Sequence, residues 1–284
     1  MKVAHLILTY TNPFQTERMI EAMRHPDFDF YIHVDKKIDI KSHLYLANLP
    51  NVYLIKNRVT VIWAGYNTVK ATFSAIKEIE ATKIKYDYIN FLSGQDFPIK
   101  TGHYIHQFLE RNAGKQFIES IDIKNNFPED MKRVYQTHLI NLDFKGMYKI
   151  EYIINAIRKP RKIPDNLTIY GKAMFWMLTQ EAANYVVKKV EGKKEYNSFF
   201  QYTWGCDELV FQTILNNSIF SNDVVNNHYR YVDWSMGGSH PKVFDKSDFN
   251  QIITSDNLFA RKFSLSHDKE IIELIETHLK QQLG

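Results

Sequence analysis

One cysteine, Cys206, stands in a chain of 284 residues. No intramolecular disulfide can form, nor a cysteine-based zinc site. Beside Asp207 this thiol reads either as a nucleophile or as the small buried hydrophobe that a lone cysteine usually is. Glycines are sparse and never fall into G-x-G-x-x-G or a Walker loop, which disfavours dinucleotide and ATP sites of those kinds. No apolar run is long enough to span a bilayer. The opening stretch MKVAHLILTYTNP breaks at Asn12-Pro13 and carries no cleavage site, so the chain is expected to be cytoplasmic. Charge of one sign is also lacking: 36 Lys and Arg against 32 Asp and Glu leave +4, milder than chains whose main partner is nucleic acid. Low-complexity segments, internal repeats and flexible linkers are absent, and 44% hydrophobic residues argue against disorder.

Strand and helix signals alternate along the first half. VAHLIL (3–8), FDFYIHVD (28–35), NVYLI (51–55) and YDYINFL (86–92) read as buried strands. Asn12-Pro13 reads as a helix cap and first turn, with Phe14, Met19, Ile20 and Met23 along one face; Asn67 is expected to open a second helix. The pattern predicts an α/β fold, a mostly parallel sheet covered by helices on both faces, with ligands beyond the carboxyl ends of the strands. The second half is less regular. Helices are expected over 180–190 and 207–215, and a terminal amphipathic helix from Ser266; IRKPRKIP (157–164) is a basic, proline-marked loop. The whole, 1–284, is read as a single domain, with a nucleotide-binding half (1–120) and an acceptor and catalytic half (121–284).

Several residues stand where chemistry could be done, each with a plainer alternative. Asp207 and Glu208 precede an apolar run, where Asp207 fits a helix cap and an acid is favoured by the helix dipole. Asp35 ends the second strand, placed either to accept hydrogen bonds from a nucleoside or to sit in a solvated turn. Asp96 follows the fourth strand, where many nucleotide-sugar transferases carry Asp-x-Asp to hold a metal; here one acid is present. The literal Asp27-Phe28-Asp29 precedes a strand and is read as a decoy, so no metal site is expected. Arg261 and Lys262 form a basic pair between apolar anchors, suited to a diphosphate or to solvent. Abundant aromatics, 19 Phe, 17 Tyr and 4 Trp, suit a large core and also sugar faces.

Taken together, IHVDKK (32–37), WAGYNTVKA (63–71), YINFLSGQDFPIKT (88–101), DELVFQTILNNS (207–218), RYVDWSMGGSHPKVFDKSDF (230–249) and SDNLFARKF (255–263) resemble the core-2/I-branching enzymes, in the family's order and across almost the whole chain. That family comprises β-1,6-N-acetylglucosaminyltransferases and peptide O-xylosyltransferases. The resemblance implies a GT-A-like glycosyltransferase fold, a UDP-sugar donor, inversion at the anomeric carbon and no metal or other cofactor. By it Glu208 matches the catalytic base, Asp35 the uracil-binding acid, and Arg261 with Lys262 the diphosphate-binding pair. Thr9 falls where the nucleoside packs, while Asp96 and Trp234 lie in motifs bordering the sugar and acceptor pocket. Tyr10 replaces a usual His, WAG replaces Trp-Gly-Gly, and YGKAMFWMLTQEA (170–182) lacks the Gly-Ser-x-Trp that helps shape the acceptor side. The implied partners are a UDP-sugar and a glycan or lipid-linked glycan in surface polysaccharide synthesis, with no nucleic acid. The basic loop is left as solvated or as meeting an anionic acceptor or a lipid surface, a peripheral membrane contact. Two rival readings stand beside this one: a metal-dependent retaining transferase using Asp96 with a second acid, and a non-catalytic sugar-nucleotide-binding protein.

Overall fold

The computed structural model describes residues 1–10, 12–142 and 144–282. The chain runs through β1 (Val3–Thr9), α1 (Pro13–Ala22), β2 (Phe28–Val34), β3 (Val52–Leu54), α2 (Tyr66–Ala81) and β4 (Tyr88–Ser93). A short β5 (Asp96–Pro98) turns into α3 (Gly102–Arg111) and β6 (Gln116–Asp122). Three helices, α4 (Ile123–Asn126), α5 (Lys132–Tyr135) and α6 (Met147–Ile157), precede the long β7 (Tyr170–Thr179). After it come α7 (Gln180–Glu191), α8 (Lys194–Gln201), α9 (Val210–Asn216), β8 (Val224–Val225) and β9 (Arg230–Val232). The chain closes with α10 (Phe249–Ile253), β10 (Phe259–Arg261) and α11 (Glu270–Gln281).

Seven strands form one sheet in the order β3-β2-β1-β4-β7-β6-β8, parallel except where β7 pairs with β4 and β6. Successive side chains of β1 point to opposite faces. Ala4 and Leu6 join a core with Val69 and Phe73 of α2, Val186 of α7 and Phe211 of α9. Val3 and Ile7 join another with Met19 of α1, Ile105 of α3 and Ile275 of α11. Because both faces are buried, the strands need no polar alternation, which is why they read as continuous apolar runs. Register then aligns their ends. Thr9 lies opposite Val34 and Leu8 opposite Ser93, so the exits of β1, β2 and β4 share one edge. A second, three-stranded sheet, β5-β10-β9, stands at that edge.

The sheet and helices bear out the expected α/β class, and Asn12 caps α1 as predicted, accepting from the Phe14 N–H at 2.9 Å. Four local expectations are corrected. Phe14 is 61% exposed, and the neighbouring Gln15 turns inward instead. It does so because its amide satisfies backbone groups that the core would otherwise strand: Gln15 Nε2 donates to the Gly94 and Phe263 carbonyls, and its Oε1 accepts from the Leu265 N–H. The second helix opens at Gly65 rather than Asn67, and the Asn67 N–H is met by Asn141 Oδ1 from a distant loop at 3.1 Å. The terminal helix begins at Glu270, not Ser266, because Asp268 Oδ1 accepts the Glu270 N–H at 2.7 Å. Cys206–Glu208 is a 3-10 turn, and the helix proper starts at Val210 with Leu209 in the cap position, so Asp207 does not cap it.

Gly102 opens α3 where that helix abuts the end of α1. A Cβ there would run into the Met23 carbonyl oxygen and lie 2.7 Å from that of Arg24. Neither backbone atom can yield without moving α1. Gly102→Ala is expected to lower stability by about 2 kcal/mol or more, read from the urea midpoint.

Candidate active site

Asp35 leaves β2 at the shared edge. Its N–H donates to the Thr9 carbonyl at 2.8 Å, which continues the β1–β2 ladder past the last strand residue. It is 4% exposed, which excludes the solvated-turn reading. Its Oδ1 accepts from the N–H groups of Lys37 at 3.0 Å and Val61 at 3.1 Å, while Oδ2 faces the Lys37 ammonium at 3.6 Å. Thr9 is buried beside it.

At the exit of β4 the chain folds back into β5. Asp96 is fully buried, and its Oδ2 accepts the Ser93 N–H at 2.6 Å. Opposite it in the antiparallel β5–β10 register is Arg261, whose Nε lies 3.0 Å from Asp96 Oδ1. The guanidinium also covers the Phe175 ring at 4.3 Å. Asp96 thus meets the site through Arg261, not by lining a pocket with its own carboxylate. Lys262 follows, partly buried. Burial first, then the Arg261 charge, lowers its ammonium from the ordinary lysine value, as for a cation held beside another in a partly dry place. Beneath them Arg230 is buried between the Phe175 and Phe259 rings and donates to Asn90 Oδ1 and the Phe91 carbonyl, both at 2.7 Å. Burial pushes its pKa down to about 9.

Glu208 occupies the 3-10 turn before α9 and is partly exposed. Arg133, at the start of α5, donates to Glu208 Oε2 at 2.7 Å and to the Gly205 carbonyl at 2.9 Å. The Trp204 ring lies 5.0 Å from that guanidinium. Gly205 must be glycine: its φ is +61°, and a Cβ would collide with Arg133. Asp207 differs sharply from its neighbour. Burial of its carboxyl and the adjacent Glu208 push its pKa up to about 7. Cys206 is buried, and burial followed by the Asp207 charge holds its thiol well above the ordinary value, against a nucleophile reading.

A chain of contacts joins these parts. Val232 pairs with Arg261, and the loop after β9 carries the 55%-exposed Trp234 and then His240, whose ring meets Trp63 at 6.1 Å. Trp63 meets Trp204 edge-on at 5.6 Å, and Trp204 underlies Arg133 beside Glu208. Val61, which donates to Asp35, lies two residues before Trp63. The residues singled out from sequence therefore belong to one neighbourhood beyond the carboxyl ends of the strands. Arg133, Trp204 and Arg230 were not foreseen. Arg230 opens the RYVDWSMGGSHPKVFDKSDF motif and Trp204 stands just ahead of Gly205 and the Cys206-Asp207-Glu208 run, whereas nothing in EDMKRVY distinguishes Arg133 from a surface cation.

The opposite edge carries the decoy. Asp29 is buried against Tyr86 Oη at 2.5 Å and Lys2 Nζ at 3.1 Å. Asp27 joins His25 and His106 in the one group, among the described residues, with donors close enough for a metal ion. Two of its ring nitrogens are engaged: His106 Nε2 contacts the Met1 carbonyl at 2.9 Å and Asp27 at 3.1 Å, and His25 Nδ1 accepts the Asp27 N–H at 3.2 Å. Surface clefts at this edge, one by Tyr86 and Gln180 and one by Arg24 and Pro50, hold none of the predicted residues.

Charged groups gathered past the carboxyl ends of a mostly parallel sheet stand where open α/β enzymes bind their ligands. The chain belongs to the core-2/I-branching enzyme family, whose profile, described as Core-2/I-Branching enzyme, matches residues 3–257. Xylosyltransferase 2 of Homo sapiens is 25% identical over 302 residues, covering 98% of this chain and 34% of that protein. Xylosyltransferase 1 of Rattus norvegicus is 26% identical over 292 residues, covering 93% and 34%. The chain thus spans about a third of the length of the curated relatives it matches. Among solved structures, mouse xyloside xylosyltransferase 1 in its apo form overlaps with a TM-score of 0.40 at 12% identity, over 91% of this chain and 97% of that one. S. aureus TarS 1–349 in complex with UDP overlaps with a TM-score of 0.34 at 11% identity, over 71% and 55%. Neither overlap is close enough to bear on the site.

The raised Asp207 pKa has a sign. Between its unfolded value and about 7 the folded state binds more protons, so stability falls as pH rises through that window and the loss persists above it. Asp207→Asn cannot ionise. It should exceed the parent by roughly 1–2 kcal/mol at about pH 8, discounted for partial solvent access, and match it near about pH 4. Thermal unfolding across pH checks this; a difference independent of pH would contradict it.

Proposed function

We propose that the protein is an inverting glycosyltransferase that moves a sugar from a UDP-sugar to a hydroxyl of a glycan or lipid-linked glycan acceptor, in the synthesis of a surface polysaccharide, without a metal. The observation carrying this reading is the division of charge: Asp96 is committed to Arg261, while the partly exposed Glu208 is oriented by Arg133. A carboxylate already paired with a guanidinium is poorly placed to ligate a cation on the diphosphate. Arg261 and Lys262 supply that positive charge instead, with Asp96 as the positioning residue for Arg261. Asp35, beside Thr9, receives the nucleoside, and Trp234 offers a ring to the sugar or acceptor.

Transfer is then one displacement. The acceptor oxygen forms a bond to the anomeric carbon as the bond to UDP breaks on the opposite face. Glu208 takes the hydroxyl proton through Oε1, since Oε2 is held by Arg133, and UDP leaves with its charge met by the two cations. General-base assistance of this kind is worth about 10²–10⁴-fold in rate. The relatives' printed names support trying xylose as donor sugar, beside the N-acetylglucosamine that the family resemblance implies.

Glu208→Gln should bind UDP normally, measured by calorimetry, and lose transfer by about 10²–10⁴-fold. Near-normal turnover would reject the assignment. Lys262→Ala should weaken UDP binding about tenfold, the loss of one charge-assisted contact, without disturbing the Asp96 pair. Activity abolished by a chelator and restored by Mn²⁺ would favour the metal-dependent alternative.

A further inference from the structure

α6 takes no part in the site, and most of its apolar side chains face solvent although Met147 is buried. Polar groups hold it to the body. Glu151 accepts from the Leu139 N–H at 2.9 Å and lies 2.9 Å from His138 Nδ1; Asn155 pairs in both directions with the Thr137 backbone at 2.8 and 2.9 Å. These bonds fix the rotation of the helix, and that rotation turns its apolar side outward. Tyr148, Tyr152, Ile153 and Ile157 are 76%, 77%, 57% and 79% exposed. A surface helix normally shows the opposite arrangement. Phe144 and Ile150, also exposed, widen the patch, and contiguous apolar patches on soluble proteins mark contact sites.

Among the described residues the charge flanking the patch is positive. Lys149 lies on the outward face, and Arg158, Lys159 and Lys162 follow on an exposed segment. Arg161 is turned inward, donating to the Val134 and Tyr202 carbonyls at 3.2 and 2.8 Å, so the segment is pinned beside the helix. The single acid of α6, Glu151, faces the body. No helix among the described residues is long and apolar enough to cross a membrane. Apolar residues flanked by tyrosines and rimmed by cations suit a helix lying in the headgroup region. A second copy fits less well, because a two-fold contact would bring two positively rimmed patches together.

We propose that α6 and residues 158–163 seat the protein on an anionic bilayer. The surface carries this independently of the glycosyl-transfer reading.

The test is co-sedimentation of the full chain with vesicles of equal parts phosphatidylcholine and phosphatidylglycerol, against pure phosphatidylcholine. Binding should be about tenfold or more stronger to the anionic vesicles and should fall with added salt. Lys149→Glu with Lys159→Glu should cut it by about fivefold or more per residue, and Ile153→Ser with Ile157→Ser by about tenfold. UDP-induced thermal stabilisation of these variants should match the parent, showing an intact site. Equal sedimentation with both vesicle types, or variants that sediment like the parent, would overturn the proposal. So would failure to sediment together with a light-scattering dimer that the isoleucine variants abolish.

Discussion

A buried carboxylate cannot stay charged without a partner, and Asp96 is fully buried at the point where the central sheet gives way to the smaller one. Arg261 is that partner. To supply it, β10 must cross from far along the chain and pair with β5 in the register that sets the two residues opposite each other. That pairing, together with β7 beside β4 in the central sheet, joins the second half of the sequence to the first-half strands. It also determines the electrostatics of the place: one acid is spent on a structural pair, and the cations around it give a positive wall where a nucleotide's phosphates would lie.

The same logic recurs at the turn before α9. Asp207 and Glu208 are adjacent in sequence but differ in environment, one with its carboxyl withdrawn from water, the other open and held by a guanidinium that stacks on Trp204. Two neighbouring carboxylates in such different surroundings can take different roles: burial holds Asp207 toward the neutral acid, while Arg133 fixes the orientation of Glu208. An arginine rather than a helix cap is what sets Glu208 apart. Its position depends on Gly205, whose backbone leaves room for the guanidinium.

Much of the fold was legible because it rests on local physics. Strands buried on both faces must be continuously apolar, and Asn-Pro before an amphipathic run starts a helix wherever it occurs. What misled was equally physical. Phe14 has the right spacing for a core face, yet Gln15 takes the inward position because backbone carbonyls of two distant segments need a donor there. α6 is not among the expected helices, and the outward turn of its apolar side rests on bonds from Glu151 and Asn155 to a loop that no periodicity reveals.

The sequence by itself determined the family, through six motifs in order, the α/β class, and which acids and bases were candidates, since motif chemistry and strand patterning are properties of residues near one another in the chain. Tertiary structure alone decided which candidate meets which. Asp96 with Arg261, Glu208 with Arg133, and Asp35 with the Val61 N–H are contacts between segments far apart in sequence. Their formation depends on strand register and on the burial of charge, quantities that exist only once the chain has closed on itself.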